Sequence, residues 1–99
     1  EDVTSFVFRE ARPLVLRKVE GFLGRALRDH GTKLMRYKGV LSVKDVDDRV
    51  VFQGVHMVMG STRGKRWKKG EPRESRMVFI GKDMPKEWLL EGLAACIAA

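Results

Sequence analysis

The sequence predicts an α+β fold in which a mostly antiparallel four-stranded sheet carries two helices on one face. Apolar residues alternate with period two in four segments and recur at helical spacing in two others, in the order strand, helix, three strands, helix. Hydrophobic residues make up 43% of the 99 residues, which is enough for one compact core and too little for two. We therefore expect a single domain over residues 1–99.

The N-terminal part predicts one strand followed at once by one helix. In "TSFVFREAR", Phe6 and Phe8 share a face, as in a half-buried strand. The next stretch, "PLVLRKVEGFLGRALRDHG", has helical spacing, and Pro13 suits its first turn. Gly21 and Gly24 each cost about 1 kcal/mol relative to Ala inside a helix. We expect close packing of this helix against the sheet to be the reason for both glycines.

The rest of the chain predicts a hairpin, a loop, a strand and a closing helix. "KLMRYKGVLSVK" and "RVVFQGVHMVMG" flank the polar turn "DVDD", which is typical of a hairpin. "STRGKRWKKGEPRES" is polar and interrupted by Gly and Pro, so we interpret it as a long loop, followed by the strand "RMVFIG". In "DMPKEWLLEGLAACIAA", Asp83 can cap a helix whose first turn contains Pro85.

The second strand places two cations on one face of the sheet. Period two directs Met35, Tyr37 and Gly39 one way, toward the helices, and Gly39 would let a helix approach the backbone. Arg36 and Lys38 then lie on the opposite face, for which the sequence offers no cover. This face is expected to be basic and partly apolar.

The sequence contains no recognisable catalytic grouping. "GSTRGKR" lacks both the glycine spacing of a P-loop and the Ser or Thr that follows its Lys. The candidate metal ligands His30, His56 and Cys96 have no paired-ligand spacing. His30 and Cys96 are interpreted as structural, and His56 is kept as a weak metal candidate. We expect no catalytic residue, cofactor or resident metal in this domain.

A net charge of +7, from 20 Lys and Arg against 13 acids, predicts attraction to polyanions. Seven cations lie between Arg63 and Arg76, with Trp67 among them. The candidate interaction residues of this segment are Arg63, Lys65, Arg66, Trp67, Lys68 and Lys69. A base could stack on an exposed Trp67, which keeps nucleic-acid binding as an alternative. In the other interpretation Trp67 folds back onto the sheet edge.

Hydropathy, the N-terminal residues and the cysteine count bear on the cellular compartment of the protein. No apolar run approaches the roughly 20 residues that span a bilayer, and "EDVTSF" does not have the regions of a signal peptide. Cys96 is the single cysteine, which is compatible with a reducing compartment. We expect a cytoplasmic protein with no membrane partner, and the first residue, Glu1 rather than Met, suggests a fragment of a longer chain.

Four stretches in fixed order resemble one family. "SFVFREARPLVLRKVEGFL", "LMRYKGVL", "FQGVHM" with a downstream Trp67, and "SRMVFIGKDM" with the closing helix are similar to the C-terminal domain of the CobW-type P-loop GTPases. That family is associated with cobalamin synthesis, nitrile hydratase activation and zinc trafficking. The matched positions are Arg12, Pro13, Arg36, Lys38, Gly39, Gln53, Gly54, His56, Ile80 and Gly81.

The resemblance implies a small α+β accessory domain whose GTPase domain is N-terminal and absent here. GTP, Mg²⁺ and Zn²⁺ or Co²⁺ would belong to that parent protein. The implied partners are the parent's own GTPase domain and a client metalloprotein, and self-association into a homo-oligomer stays open. Arg36 and Lys38, with the cations of the loop, are the residues we expect to make these contacts. A small basic nucleic-acid-binding module remains the alternative.

Overall fold

The computed structural model describes residues 2–55 and 57–99 as two helices on one five-stranded sheet. The elements in chain order are β1 (Thr4–Glu10), α1 (Leu16–His30), β2 (Leu34–Leu41), β3 (Asp48–Val55), β4 (Val58–Arg66), β5 (Ser75–Gly81) and α2 (Lys86–Ala94). In space the strands are ordered β1-β5-β2-β3-β4, and every neighbouring pair is antiparallel. The predicted α+β class is confirmed, with five strands rather than four.

The additional strand comes from the segment predicted to be one long strand and a loop. β3 ends at Val55 and β4 begins at Val58, and Met57 between them has a φ of 68°. The sequence gives no Gly, Pro or Asn signal for this turn, so the alternating apolar residues on both sides of it predicted one continuous strand. β4 continues to Arg66 as an edge strand with almost every side chain exposed, and such a strand needs no apolar alternation.

The core lies between the helices and one face of the sheet. Alternate residues of the three central strands point into it, and α1 and α2 cover them. The largest fully buried side chains from the sheet are those of Tyr37, Phe52, Phe79, Leu41, Met77 and Val50. The prediction of both helices on one side is confirmed, because the remaining residues of these strands point away from α1 and α2.

An irregularity at the start of β2 changes which residue faces the core. The pairing of β2 with β5 shifts register between Leu34 and Arg36. As a result Leu34 is buried, whereas Met35 is 43% exposed. Simple alternation takes no account of a bulge, so it selected Met35 and not Leu34 as the residue that packs into the core.

Both helices begin later than their sequences suggested. α1 starts at Leu16, because the N–H of Leu14 donates to the Ser42 carbonyl over 2.9 Å and its carbonyl accepts from the Lys44 N–H. These bonds hold the chain after Pro13 extended. α2 starts at Lys86 with Pro85 at the N-cap position and no side-chain cap, so the predicted capping by Asp83 was wrong.

The surroundings of the glycines in α1 and β2 differ from those predicted. A Cβ added at Gly21 or Gly24 would come no closer than 3.9 Å to any other part of the chain, the tip of an arginine, so neither residue packs against the sheet. At Gly39 a Cβ would lie 2.5 Å from the Cα of Met77 and would also collide with the Arg76 carbonyl. The close neighbour of Gly39 is thus β5 and not a helix.

Candidate functional site

Neither helix covers the opposite face of the sheet, and only the segment after β4 folds back over part of it, with Trp67 beside Arg49. On β5, Arg76, Val78 and Ile80 alternate with the buried residues. Their partners on β2 are Val40, Lys38 and Arg36 respectively, and their partners on β1 include Val7 and Arg9. The structure thus places Arg36 and Lys38 on the helix-free side, where period two predicted them. We call this side the open face.

A groove of about 580 Å³ runs across the open face. Its floor is aliphatic, formed by Val40, Val78 and Ile80, all partly buried. Its cationic lining comes from four side chains on three strands, Arg36, Lys38, Arg49 and Arg76. We name this concavity the basic groove; Gly39, Trp67 and Glu74 complete its lining.

Most of the cations in the basic groove are not neutralised by the chain itself. Among the described residues, Arg36, Lys38 and Arg76 take part in no ion pair. A carboxylate at one end, Glu74, lies 3.9 Å from Arg9, a long and exposed pair that water screens strongly. The groove therefore presents net positive charge beside an apolar surface.

Arg49 and Trp67 form the wall of the basic groove near β4. The guanidinium of Arg49 lies 4.5 Å from the centre of the Trp67 ring and donates to the Arg66 carbonyl over 2.9 Å. It also pairs with a Glu71 carboxylate oxygen at 2.9 Å. Trp67 itself is only 8% exposed, and its Nε1 is buried with no acceptor among the described residues. Arg49 is therefore held in place by the fold.

Glu71 binds both Arg49 and the backbone that follows Trp67. Its Oε1 accepts a hydrogen bond from the backbone N–H of Lys68 as well as from Arg49. The Lys68 amide, and then the charge of Arg49, hold the pKa of the Glu71 carboxyl below its ordinary value of 4.5. Ionised Glu71 thus connects the loop after β4 to the wall of the groove.

The predicted interaction residues fall into two groups. Arg36, Lys38 and Trp67 line the basic groove. The remaining five, Arg63, Lys65, Arg66, Lys68 and Lys69, are exposed but lie outside its lining. Arg63 is paired across the sheet with the buried Val50, so it belongs to the helix side of the sheet edge. Trp67 is folded back onto the sheet and is not available as an exposed platform.

Sequence reasoning missed Arg49 and Arg76 as parts of the same surface. Arg76 alternates with Met77 in a short apolar strand, so its direction could have been read from period two. Arg49 likewise precedes the buried Val50 in a predicted strand, but its contact with Trp67 depends on the fold of the chain after β4, which the sequence did not reveal.

In the Arg-Pro corner between β1 and α1, Arg12 binds the neighbouring Glu10. The side chain of Arg12 donates to both carboxylate oxygens of Glu10, at 2.9 and 3.1 Å, and its backbone N–H donates to one of them. These hydrogen bonds lower the pKa of Glu10 to about 2. Arg12 therefore stabilises the turn leading to Pro13 and does not line the groove.

The weak metal candidate, His56, lies outside the described residues. Within residues 2–55 and 57–99 no three His, Cys, Asp or Glu side chains are grouped as metal ligands. Cys96 is buried just after α2, its thiol 3.3 Å from the Gly92 carbonyl, and burial raises its pKa. A buried neutral thiol of this kind is a poor metal ligand.

Over the same described part of the chain, no helix is both long and apolar enough to cross a bilayer. The fold and the open face together define a small α+β module that presents one basic sheet surface away from its helices. The family of the cobalamin synthesis protein cobW C-terminal domain matches residues 3–97, and this chain belongs to that family. The resemblance inferred from the four sequence stretches is thus confirmed.

Known relatives are similar over the same region. The zinc chaperone YjiA of Escherichia coli (strain K12) is 33% identical over 86 residues, which cover 87% of this chain and 27% of that protein. A crystal structure of Zn(II)-bound YjiA GTPase from E. coli and one of a Zn(II)-bound YjiA triple mutant match with TM-scores of 0.92 at 30% identity, over 99% of this chain. This chain spans about three tenths of the length of these relatives.

Proposed function

We propose that this chain is the non-catalytic accessory domain of a CobW-like metal-trafficking GTPase. By this proposal residues 1–99 form one domain that docks the parent's own GTPase domain, or a client metalloprotein, through the open face. The parent acts in the cytoplasm, and GTP, Mg²⁺ and the trafficked Zn²⁺ or Co²⁺ belong to its other part. Arg36 and Lys38 contribute the docking charge.

The observation that carries the proposal is the uncovered basic groove. An antiparallel sheet that faces water normally alternates apolar and polar residues, with polar ones outward. The outward face here instead has Val40, Val78 and Ile80 in one groove, and three of the four cations that line it, Arg36, Lys38 and Arg76, form no ion pair within the described chain. The proposal is supported by family membership and by the relatives' length, since this chain spans about three tenths of them and a parent of that length would have a further domain to dock.

Docking offers a simple route to regulation. A GTP-dependent change in the parent's other domain could alter how the open face is presented, and only differential binding to two conformations can shift their populations. A domain that contacts the GTPase more tightly in one nucleotide state would therefore change the rate of hydrolysis or of metal delivery without supplying a reacting group.

The test mixes this chain with the separately expressed GTPase domain and measures binding and the GTPase rate. We expect saturable binding that weakens when Arg36 and Lys38 are both replaced by Ala, and the same replacement in the full-length parent should alter nucleotide affinity or GTPase rate. Arg17→Ala with Lys18→Ala removes the same charge from α1 and is the matched control. No binding and no rate change with folded proteins would contradict the proposal.

Nucleic-acid binding is the second candidate, favoured by the net charge of +7 and the cationic groove. The burial of Trp67 removes the stacking platform on which this candidate partly rested. Phosphate contacts alone would give affinity that falls steeply with salt. Titrating a random oligonucleotide at two salt concentrations distinguishes the candidates, since docking through an apolar floor should persist at the higher one.

A further inference from the structure

We propose that the basic groove binds an acidic amphipathic α-helix contributed by a polypeptide outside these 99 residues. The inference rests on the proposed docking function and specifies the chemistry of the docked element. Such a helix would have an apolar stripe that contacts the floor and Glu or Asp side chains beside it. Bound in this way, it would convert the two-layer domain into a helix-sheet-helix sandwich.

The floor requires an apolar ligand. Val40 and Val78 lie on adjacent central strands, and Val7, on the next strand, is 40% exposed. On the same face, Val55 of β3 pairs with Arg36 of β2 and is 45% exposed. Partly exposed aliphatic side chains on four neighbouring strands gain free energy when apolar groups displace their water.

The lining requires a negatively charged ligand. Arg36, Lys38 and Arg76 project beside the floor without a carboxylate partner among the described residues. Arginine binds carboxylates through two parallel hydrogen bonds, and these bonds strengthen as water is excluded. Carboxylates spaced along both sides of an apolar stripe would meet these cations, which are spread over two adjacent strands.

The geometry favours a helix over other acidic partners. A sheet face offers side chains and no free backbone groups, so a docking strand would leave its own N–H and C=O groups unpaired, whereas a helix satisfies them internally. Nucleic-acid bases stack on exposed aromatic rings, and Trp67 is buried. An anionic membrane is flat, so it would not reach the aliphatic residues at the bottom of this groove.

The direct test titrates this chain with three synthetic probes. One is a helical peptide with Leu at positions i, i+3, i+4 and i+7 and Glu beside them; the second has Lys in place of Glu; the third is the first peptide scrambled to destroy its apolar stripe. Trp67 lines the groove, so its fluorescence reports binding once the other tryptophan is removed by Trp88→Phe. An oligo-dT strand is the nucleic-acid comparison.

We expect saturable binding of the acidic amphipathic peptide, with at least about tenfold weaker binding of the other two peptides. Arg36→Glu with Lys38→Glu should weaken that binding by about tenfold or more. Arg17→Glu with Lys18→Glu makes the same change in net charge on α1 and should leave it within about twofold. Val78→Thr, a change of similar size in the floor, should weaken binding about threefold.

Three outcomes would overturn the proposal. They are no binding of the acidic peptide up to about 1 mM, equal binding of the scrambled peptide, and equal losses in the Arg36/Lys38 and Arg17/Lys18 variants. Preference for oligo-dT would favour the nucleic-acid candidate. The proposed docking function can be refuted independently of helix binding. If the chain binds the acidic peptide but not the parent's GTPase domain, the inference about the groove holds and docking to that domain is refuted.

Discussion

Replacing the two interior glycines of α1 should stabilise the protein. Gly21 and Gly24 lie within Leu16–His30, where glycine restricts the unfolded chain least and costs about 1 kcal/mol relative to Ala. The nearest atoms to an added Cβ are the Nη1 atoms of Arg25 and Arg28, at 3.9 and 4.0 Å. Because both distances are ordinary van der Waals contacts with flexible side chains, nothing offsets the gain.

The expected magnitude follows from that open space. Each substitution, Gly21→Ala and Gly24→Ala, should raise the free energy of unfolding by about 1 kcal/mol, and the double variant by about 2 kcal/mol. In a domain of this size these gains correspond to a Tm roughly 5 °C higher for each single variant and roughly 10 °C higher for the double variant. Urea unfolding at pH 7 and calorimetry measure both quantities.

Gly92→Ala is the control, because Gly92 is also inside a helix but has no open space. A Cβ there would lie 2.6 Å from Cδ1 of Phe22 and closer still to other atoms of that ring. Overpacking of this kind costs about 1–3 kcal/mol, which exceeds the gain in helix propensity. We therefore expect Gly92→Ala to lower the Tm. The reasoning is refuted if the α1 variants are neutral or destabilised, or if Gly92→Ala stabilises.

Three further predictions concern single residues. Tyr37→Phe should be neutral or stabilise by about 1 kcal/mol at pH 7, since the buried hydroxyl has no partner among the described residues. Burial raises the pKa of Tyr37 to about 12, so the wild-type protein should lose stability as the pH rises from 10 toward 12, and the Phe variant should lose less; stability curves against pH check both. Glu71→Gln should weaken the loss of stability that follows acidification below pH 4.5, because the lowered pKa makes the ionised carboxyl stabilising above that pH; an unchanged acid profile would contradict this. Gly39→Ala should cost more than about 2 kcal/mol, measured by urea unfolding, because its Cβ would collide with the backbone of Arg76 and Met77.

Local pattern predicted much of the fold. The strand and helix order apart from β4, and the two cations on the face away from the helices, follow from period two and helical spacing, which depend only on nearby residues. The turn at Met57 was missed because a positive φ at a non-glycine residue leaves no compositional signal. The exchange of Leu34 for Met35 in the core was missed because a bulge is set by pairing with β5.

Only some residues of the candidate site could be predicted from the sequence. Arg36 and Lys38 were identified because they alternate with core residues of one strand. The loop cations were grouped with them by charge alone, although β4 is an edge strand and Arg63 belongs to its other side. Arg49 and Arg76 were not identified, since they line one groove with Arg36 and Lys38 only when β3 and β5 flank β2.

The sequence by itself determined the α+β class, the family and the positive charge, because each depends on residue types and their spacing along the chain. Only the tertiary structure decided that the cations of three strands surround one aliphatic groove, and that Trp67 lies beneath Arg49 and not in solvent. The physical reason is the strand order β1-β5-β2-β3-β4: it places β5, late in the chain, between β1 and β2. Residues about 40 positions apart, such as Lys38 and Val78, become neighbours there, and no local pattern encodes that contact.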